Sequence, residues 1–285
     1  MSSTLSDAAA QGAAAVVSRV AACIEYRGTQ YRGWQRQQPG VKSVQEAVEK
    51  ALGRVANHPV TLSCAGRTDA GVHASCQIVH FDTDAIRTPT NWIHGANANL
   101  PPDVSLAWAQ EVPGDFHARF SAMARRYRYV IYNDPVRPAH LAHEVTWNYR
   151  PLDLGRMQQA ALPLVGEHDF TSYRALACQA KSPIKRVHHL KLQRFGKFIV
   201  LDIRANAFLH HMVRNIAGVL MQIGCGEKPV EWAGEVLQAT CRREGGLTAP
   251  AFGLYLVDVT YPERFVLPQR YMGPHFLSAL NELDD

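Results

Sequence analysis

The sequence has no C-x-x-C pair, although it carries six cysteines, at 23, 64, 76, 178, 225 and 241. Most of them sit inside apolar runs, which argues against a structural zinc site and against a disulfide framework. The histidine pairs His140/His143, His188/His189 and His210/His211 lie in no H-E-x-x-H context, so no metal is expected. There is no P-loop and no G-x-G-x-x-G, hence no signature of a nucleotide cofactor. No apolar run approaches the roughly 20 residues of a membrane span. Positions 1–17 are rich in Ala and Ser, lack an early positive cluster and contain Asp7, so they do not read as a secretory signal. Residues 1–18 are expected as a flexible tail. With neither a signal nor paired cysteines, the expected location is the cytoplasm.

What is present is a chain able to bury real cores: 47% of its 285 residues are hydrophobic, enough for one large domain or two of moderate size. Net charge is +5, which favours a polyanionic partner if the basic residues gather on one face. Arginine dominates lysine, and arginine is the better bidentate phosphate ligand. Genomic base composition explains the same bias, since alanine is abundant too. Placement carries more information than number.

Arg19 to Tyr26 has the β-branched and aromatic character of a strand. Arg27 to Gly40 mixes cations with aromatics, either as a loop for single-stranded RNA, with cations for phosphates and rings for bases, or as an irregular loop whose Trp34 packs on the core. Ser43 and Glu46 form an S-x-x-E capping box. Val44, Val48, Ala51, Leu52 and Val55 give the following helix, to about Asn57, one apolar face. Strands are expected at Val60–Ala65 and Ser75–Phe81, a helix at Thr90–Asn97 and a strand at Val104–Glu111. After a linker at 114–124, the order repeats: strand Arg125–Asn133, helix Asp153–Val165, a hairpin of Val187–Arg194 and Lys197–Ala205, helix His210–Ile223, an extra helix Glu231–Ala239 and a closing strand Gly253–Tyr261. The fold class expected is α+β (α/β), with tandem β-α-β-β-α-β halves at 19–113 and 125–265 related by a pseudo-twofold, and a C-terminal tail at 266–285. Such a duplication leaves a central cleft, and clefts at domain junctions bind ligands.

The centre of this scheme is Cys64-Ala65-Gly66-Arg67-Thr68-Asp69-Ala70-Gly71-Val72-His73-Ala74, a loop between two strands. Gly66 and Gly71 are expected to take backbone angles closed to other residues, or to admit a close neighbour. From residue types alone, Arg67 and Asp69 are either a local ion pair stiffening a hairpin or part of a site. The string resembles the R-T-D-A-G-V-H signature of the tRNA pseudouridine synthase A (TruA) family. The resemblance continues through Tyr31 to Gln37, Asp115 to Ser121, Arg125 to Tyr129, His210 to Asn215 and Glu244 to Leu247, and covers most of the chain from Arg19 to near Phe276.

The resemblance implies an isomerase that converts uridine to pseudouridine at positions 38, 39 and 40 of the tRNA anticodon arm. It implies no cofactor, which suits a reaction that neither gains nor loses atoms, and a homodimer whose two subunits contact one tRNA. It assigns Asp69 as the catalytic carboxylate and Arg214 as its guanidinium partner, an arrangement that favours the charged carboxylate. Tyr127 is implied to stack on the target base, and Arg67 to fill the space left when the nucleotide is extruded. Read as a sequence only, Arg214 is rather an exposed helical arginine, and Tyr127 is open as a core or sheet-face tyrosine. His73 has no required chemical step and is expected to be structural or RNA-contacting; the histidine pairs are expected to be solvated or RNA-facing. Candidate RNA contacts are Arg32, Arg36, Arg125, Arg126, Arg128, Lys185 and Arg186, the last two within a basic run that also suits a solvated hairpin face. The rival readings are paired RRM domains, against which the segment Gly196–Leu201 lacks the RNP1 aromatics, and a nucleosidase, which would release uracil.

Overall fold

The protein is described by a computed structural model covering residues 17–277, so the expected N-terminal tail lies almost wholly outside the described residues. The first unit runs β1 (Ser18–Tyr26), α1 (Val44–Ala56), β2 (Ser63–Cys64), β3 (His73–Thr83), α2 (Pro89–Asn97) and β4 (Val104–Val112). Ser43 caps α1, its hydroxyl accepting the Glu46 N–H, and Asn57 in the left-handed region ends it. The second unit runs β5 (Ala124–Asn133), β6 (Thr146–Asn148), α3 (Leu154–Ala161), β7 (Gly166–Asp169), β8 (Ile184–Phe195), β9 (Phe198–Ala205), α4 (Met212–Gly224), α5 (Trp232–Ala239) and β10 (Leu254–Thr260). β6 and β7 were not expected, because three or four residues are too few for alternation to register. The helix expected through Val165 stops as an α-helix at Ala161, since Pro163 cannot donate a helical hydrogen bond.

All strands join one ten-stranded sheet in the order β4-β1-β3-β10-β5-β9-β8-β7, with β2 beside β3 and β6 beside β5. The relative order β4-β1-β3-β2 thus recurs as β10-β5-β9-β8, and most pairings are antiparallel. The α+β architecture expected from the sequence is what the chain adopts. One expected strand is cut short. Val60–Ala65 shrinks to Ser63–Cys64, which pair with His80 and Val79: before it, the Leu62 N–H goes to the buried Glu49 carboxylate instead of a strand, and beyond it the same edge of β3 passes to β10, where His73 and Ala74 pair with Tyr255 and Leu256. One strand edge serves two neighbours, and the chain between Ala65 and Val72 has to leave the sheet.

The buried faces of α1 to α5 fall in one core with alternate residues of the sheet, among them Tyr127, Tyr129 and Ile131 of β5. A smaller cluster covers the opposite face at Val130, Val200, Tyr255 and Val257, and Leu277 closes it. The stretch from 266 to 277, expected as part of a tail, is therefore docked: Met272, Phe276 and Leu277 lie on sheet residues that alternation points away from the helices. Among the described residues no helix is long and apolar enough to cross a membrane.

His73 ties the two units together. Its Nδ1 accepts the Gly28 N–H at 3.0 Å, its Nε2 lies 3.0 Å from the Phe252 carbonyl, and its ring stacks on Tyr255 at 4.7 Å. This pattern requires the neutral imidazole protonated at Nε2. Burial pushes its pKa down to about 4, from an ordinary 6.5. Between those values the folded chain binds fewer protons than the unfolded one, so stability grows as pH rises through the window and is lost on acidification. Burial lowers His80 to about 4 as well, which adds to the same trend. We predict that the unfolding free energy from urea titrations falls on the order of 2 kcal/mol between pH 6.5 and pH 4.5 through His73, and that His73→Asn flattens this dependence.

Candidate active site

The loop leaving the sheet after β2 is held at both ends. The Ala65 N–H donates to the Ile78 carbonyl, and the buried Gln77 amide exchanges hydrogen bonds with the Gly66 backbone. Thr68 is buried, its hydroxyl 2.7 Å from the Tyr26 hydroxyl and its carbonyl accepting the Trp34 N–H at 3.0 Å. Trp34 itself is 1% exposed, so the Arg27–Gly40 loop packs its indole on the core and braces the Asp69 loop. Gly33, at φ +97, leaves only 2.7 Å between an added Cβ and the Thr68 carbonyl. Gly71 takes the expected left-handed angle, φ +78, and the Val72 N–H closes a turn on the Asp69 carbonyl. Gly66 does neither: its φ is not left-handed, and an added Cβ would meet the Tyr127 hydroxyl at an ordinary 3.8 Å.

Asp69 stands at the crest with a partly exposed carboxylate. Its Oδ1 lies 3.2 Å from His210 Nε2, and its Oδ2 lies 3.4 Å from His211 Nε2 and 3.7 Å from Arg214 Nη1. The Arg67–Asp69 ion pair does not form. Sequence reasoning missed the two histidines as partners of the carboxylate. Their spacing of four and three residues before Arg214 would put them on its face only inside a helix, and they lie outside it. The helix expected from His210 begins instead at Met212, because His211 sits at φ 62, and this turn swings both rings toward Asp69. Burial holds the His211 pKa below its ordinary value, against an upward pull from Asp69. Asp69, His210 and His211 each bring one ligand atom within 4.8 Å of the others, a spacing compatible with a cation. Arg214 opposes one there, since its fixed positive charge already faces Oδ2.

Arg214 is pinned rather than free. Its Nε donates to the Ala249 carbonyl at 2.8 Å, while the Ala249 N–H returns a bond to the Arg214 carbonyl at 3.1 Å. The loop from Cys241 to Pro250 reaches this position by crossing α4 at Gly218, where an added Cβ would lie 1.8 Å from the Leu247 carbonyl. The Glu244–Leu247 segment therefore acts on the site through packing. Tyr127, on β5, lines the same cleft with its ring edge-on to Phe208 at 5.0 Å. Burial raises its pKa well above the ordinary tyrosine value, so the phenol is neutral.

The cleft has a volume of about 1570 Å³ and takes walls from both units, with Arg32, Arg67, Asp69, Tyr127 and Arg214 all on it. Arg32 and Arg67 are exposed and have no side-chain hydrogen bond or ion pair among the described residues. The other expected RNA contacts are otherwise engaged. Arg125 lines the cleft but gives its guanidinium to the carbonyls of Ala122, Asn206, Ala65 and Arg119. Arg126 and Arg128 point to the opposite face, as alternation along β5 requires, and converge on Asp202. Burial alone would raise the Asp202 pKa; hydrogen bonds from His189, Arg126 and Arg128 hold it well below the usual carboxylate range. Arg36 neutralises the buried Glu49. Lys185 folds back on the carbonyls of Ser182 and Ile184, Arg186 faces Glu167 at 3.6 Å, and neither lines the cleft.

The crossing at Gly218 can be tested by itself. Gly218→Ala is expected to lower stability by about 1–3 kcal/mol through overpacking, measured by urea denaturation. Gly114→Ala, where an added Cβ meets nothing, should stay within about 0.5 kcal/mol.

A family model described as tRNA pseudouridine synthase matches residues 22–121 and 160–262. A protein named tRNA pseudouridine synthase A from Pseudomonas aeruginosa is 66% identical over 283 residues, covering 99% of each chain. Proteins of the same name from Alcanivorax borkumensis and Coxiella burnetii are 59% and 55% identical over 261 residues, each covering 92% of this chain and 98% and 100% of the relative. Among solved structures, a chain of a Cbf5-Nop10-Gar1 complex is 8% identical, covers 83% of this chain and 57% of its own, and has a TM-score of 0.33, too low to bear on the fold. With its sequence matched along nearly its whole length, this chain belongs to the tRNA pseudouridine synthase family, a family of isomerases.

Proposed function

We propose that the protein isomerises uridine to pseudouridine in tRNA, at positions 38, 39 and 40 of the anticodon stem-loop, with Asp69 as the nucleophile. The observation that carries the reading is the meeting of Asp69, from the first unit, with Arg214, His210 and His211 from α4, in a cleft walled by Tyr127. Position 38–40 specificity, a homodimer sharing one tRNA and action in the cytoplasm come from the family resemblance.

The reaction breaks the bond between ribose C1′ and uracil N1, turns the base and joins C1′ to C5. The C5 proton leaves to solvent and N1 gains one, so atoms and charge balance. A stacked base cannot turn to bring C5 to C1′, so the target has to leave the helix at a cost of a few kcal/mol. Arg67, unpaired at the mouth of the cleft, suits the vacated space. The Arg214 guanidinium favours an ionised Asp69, and the pinning by Ala249 holds that charge in place before substrate arrives. Tyr127 offers a flat, neutral ring for the detached uracil, which has to be retained while it turns.

The test is tritium release from tRNA carrying C5-tritiated uridine. The native protein is expected to release tritium with no change in substrate mass, and Asp69→Asn to lose about 1000-fold or more of the rate with tRNA binding retained. Binding without release by the native protein would reduce the reading to an RNA-binding protein; free uracil would make it a nucleosidase.

A further inference from the structure

Phe120 is an exposed aromatic on the wall of the Asp69 cleft, 77% exposed, with no part in the chemistry above. A single exposed ring is ordinary by itself. What sets this one apart is the loop that presents it. His117 Nδ1 accepts the backbone N–H of both Arg119, at 3.1 Å, and Phe120, at 3.2 Å. The His117 N–H donates to the Ser121 hydroxyl, and the Ser121 N–H returns to the His117 carbonyl. Ala118 is held on both sides, its N–H by His80 and its carbonyl by the Tyr261 hydroxyl. Arg125 Nη2 then donates to the Arg119 carbonyl and to the Ala65 carbonyl, each at 2.9 Å. One nitrogen therefore couples the Phe120 loop to the root of the Asp69 loop. The ring is fixed in register with the site, so no backbone ordering is left for a ligand to supply.

The surroundings of the ring indicate what it meets. His117 lies against Phe120 at 4.3 Å between ring centroids, and the Arg119 guanidinium is 5.6 Å from the Phe120 centroid. Arg119 is exposed and, like Arg32 and Arg67, has no side-chain hydrogen bond or ion pair among the described residues. A largely exposed ring beside a guanidinium that no carboxylate or carbonyl holds is the pattern that receives single-stranded nucleic acid, a base on the ring and a phosphate on the cation.

We propose that Phe120 is a stacking platform for the unpaired base next to the extruded uridine, with Arg119 on the adjoining phosphate. It is a positioning residue: it holds the strand open while the target base occupies the cleft beside Tyr127. This inference rests on the tRNA-isomerase reading and adds the subsite for a flanking nucleotide.

The experiment measures tRNA affinity and single-turnover tritium release for Phe120→Ala, Phe120→Leu and Phe120→Tyr, and fluorescence of Phe120→Trp on addition of tRNA. Phe120→Ala and Phe120→Leu are expected to weaken tRNA binding by roughly 5- to 150-fold, Phe120→Tyr to stay near the native value, and Phe120→Trp fluorescence to be quenched by the stacked base. Native affinity in Phe120→Ala would overturn the proposal. So would full rescue by Leu, which marks a plain apolar contact, or a Trp whose emission ignores tRNA. A native protein that bound tRNA without releasing tritium would sink the isomerase reading, while the affinity and fluorescence results would still decide the platform.

Discussion

A β-strand edge can satisfy its hydrogen bonds with one neighbour at a time, and the middle of this protein is built on that constraint. β3 gives one edge to β1 and divides the other, its end at Val79 and His80 going to β2 and its start at His73 and Ala74 to β10. The chain joining β2 to β3 cannot stay in the sheet, and the residue at its crest is Asp69. The same division joins the two units, since β10 belongs to the second. His73 secures the junction from inside, with a hydrogen bond to each side and a ring stacked on Tyr255. Cleft, carboxylate and union of the halves thus have one cause.

Charge is arranged around that crest with a clear division of labour among the arginines. Arg36, Arg125, Arg126 and Arg128 have their guanidinium groups bound to carboxylates or carbonyls inside the protein. Leaving such buried carboxylates unpaired costs several kcal/mol, so these arginines are committed to the fold. Arg32, Arg67 and Arg119 have no such partner and face solvent at the cleft. Arg214 stands between the two groups: one nitrogen is committed to Ala249 and another is left for Asp69. Fixing the cation from behind lets it act on the carboxylate without moving.

The opposite face of the sheet does a different job. Asp202 gathers Arg126, Arg128 and His189, and the Arg128 guanidinium also reaches the carbonyls of Met272 and Gly273. Leu277 covers the apolar residues beside this network. The face away from the cleft is thereby sealed by the chain's own last described segment.

Sequence by itself determined most of the elements, though not the short β6 and β7, and the identity of the central loop. Capping at Ser43, the 3.6-residue period of α1 and the alternation along β5 are local properties, written where they act, and the last of them is enough to put Tyr127 on one face of its strand and Arg126 and Arg128 on the other. The R-T-D-A-G-V-H string likewise marks Asp69 without reference to its surroundings. Only tertiary structure decided which residues meet. That the chain after β2 leaves the sheet depends on β10, almost 200 positions away, holding the start of β3. That Arg125 is a clamp and Arg67 is free depends on carbonyls from distant loops. That His210 and His211 bracket the carboxylate depends on a left-handed residue at the start of α4 and on the angle at which that helix meets the sheet. Such facts concern pairs of residues brought together by folding, and no local pattern encodes the distance between them.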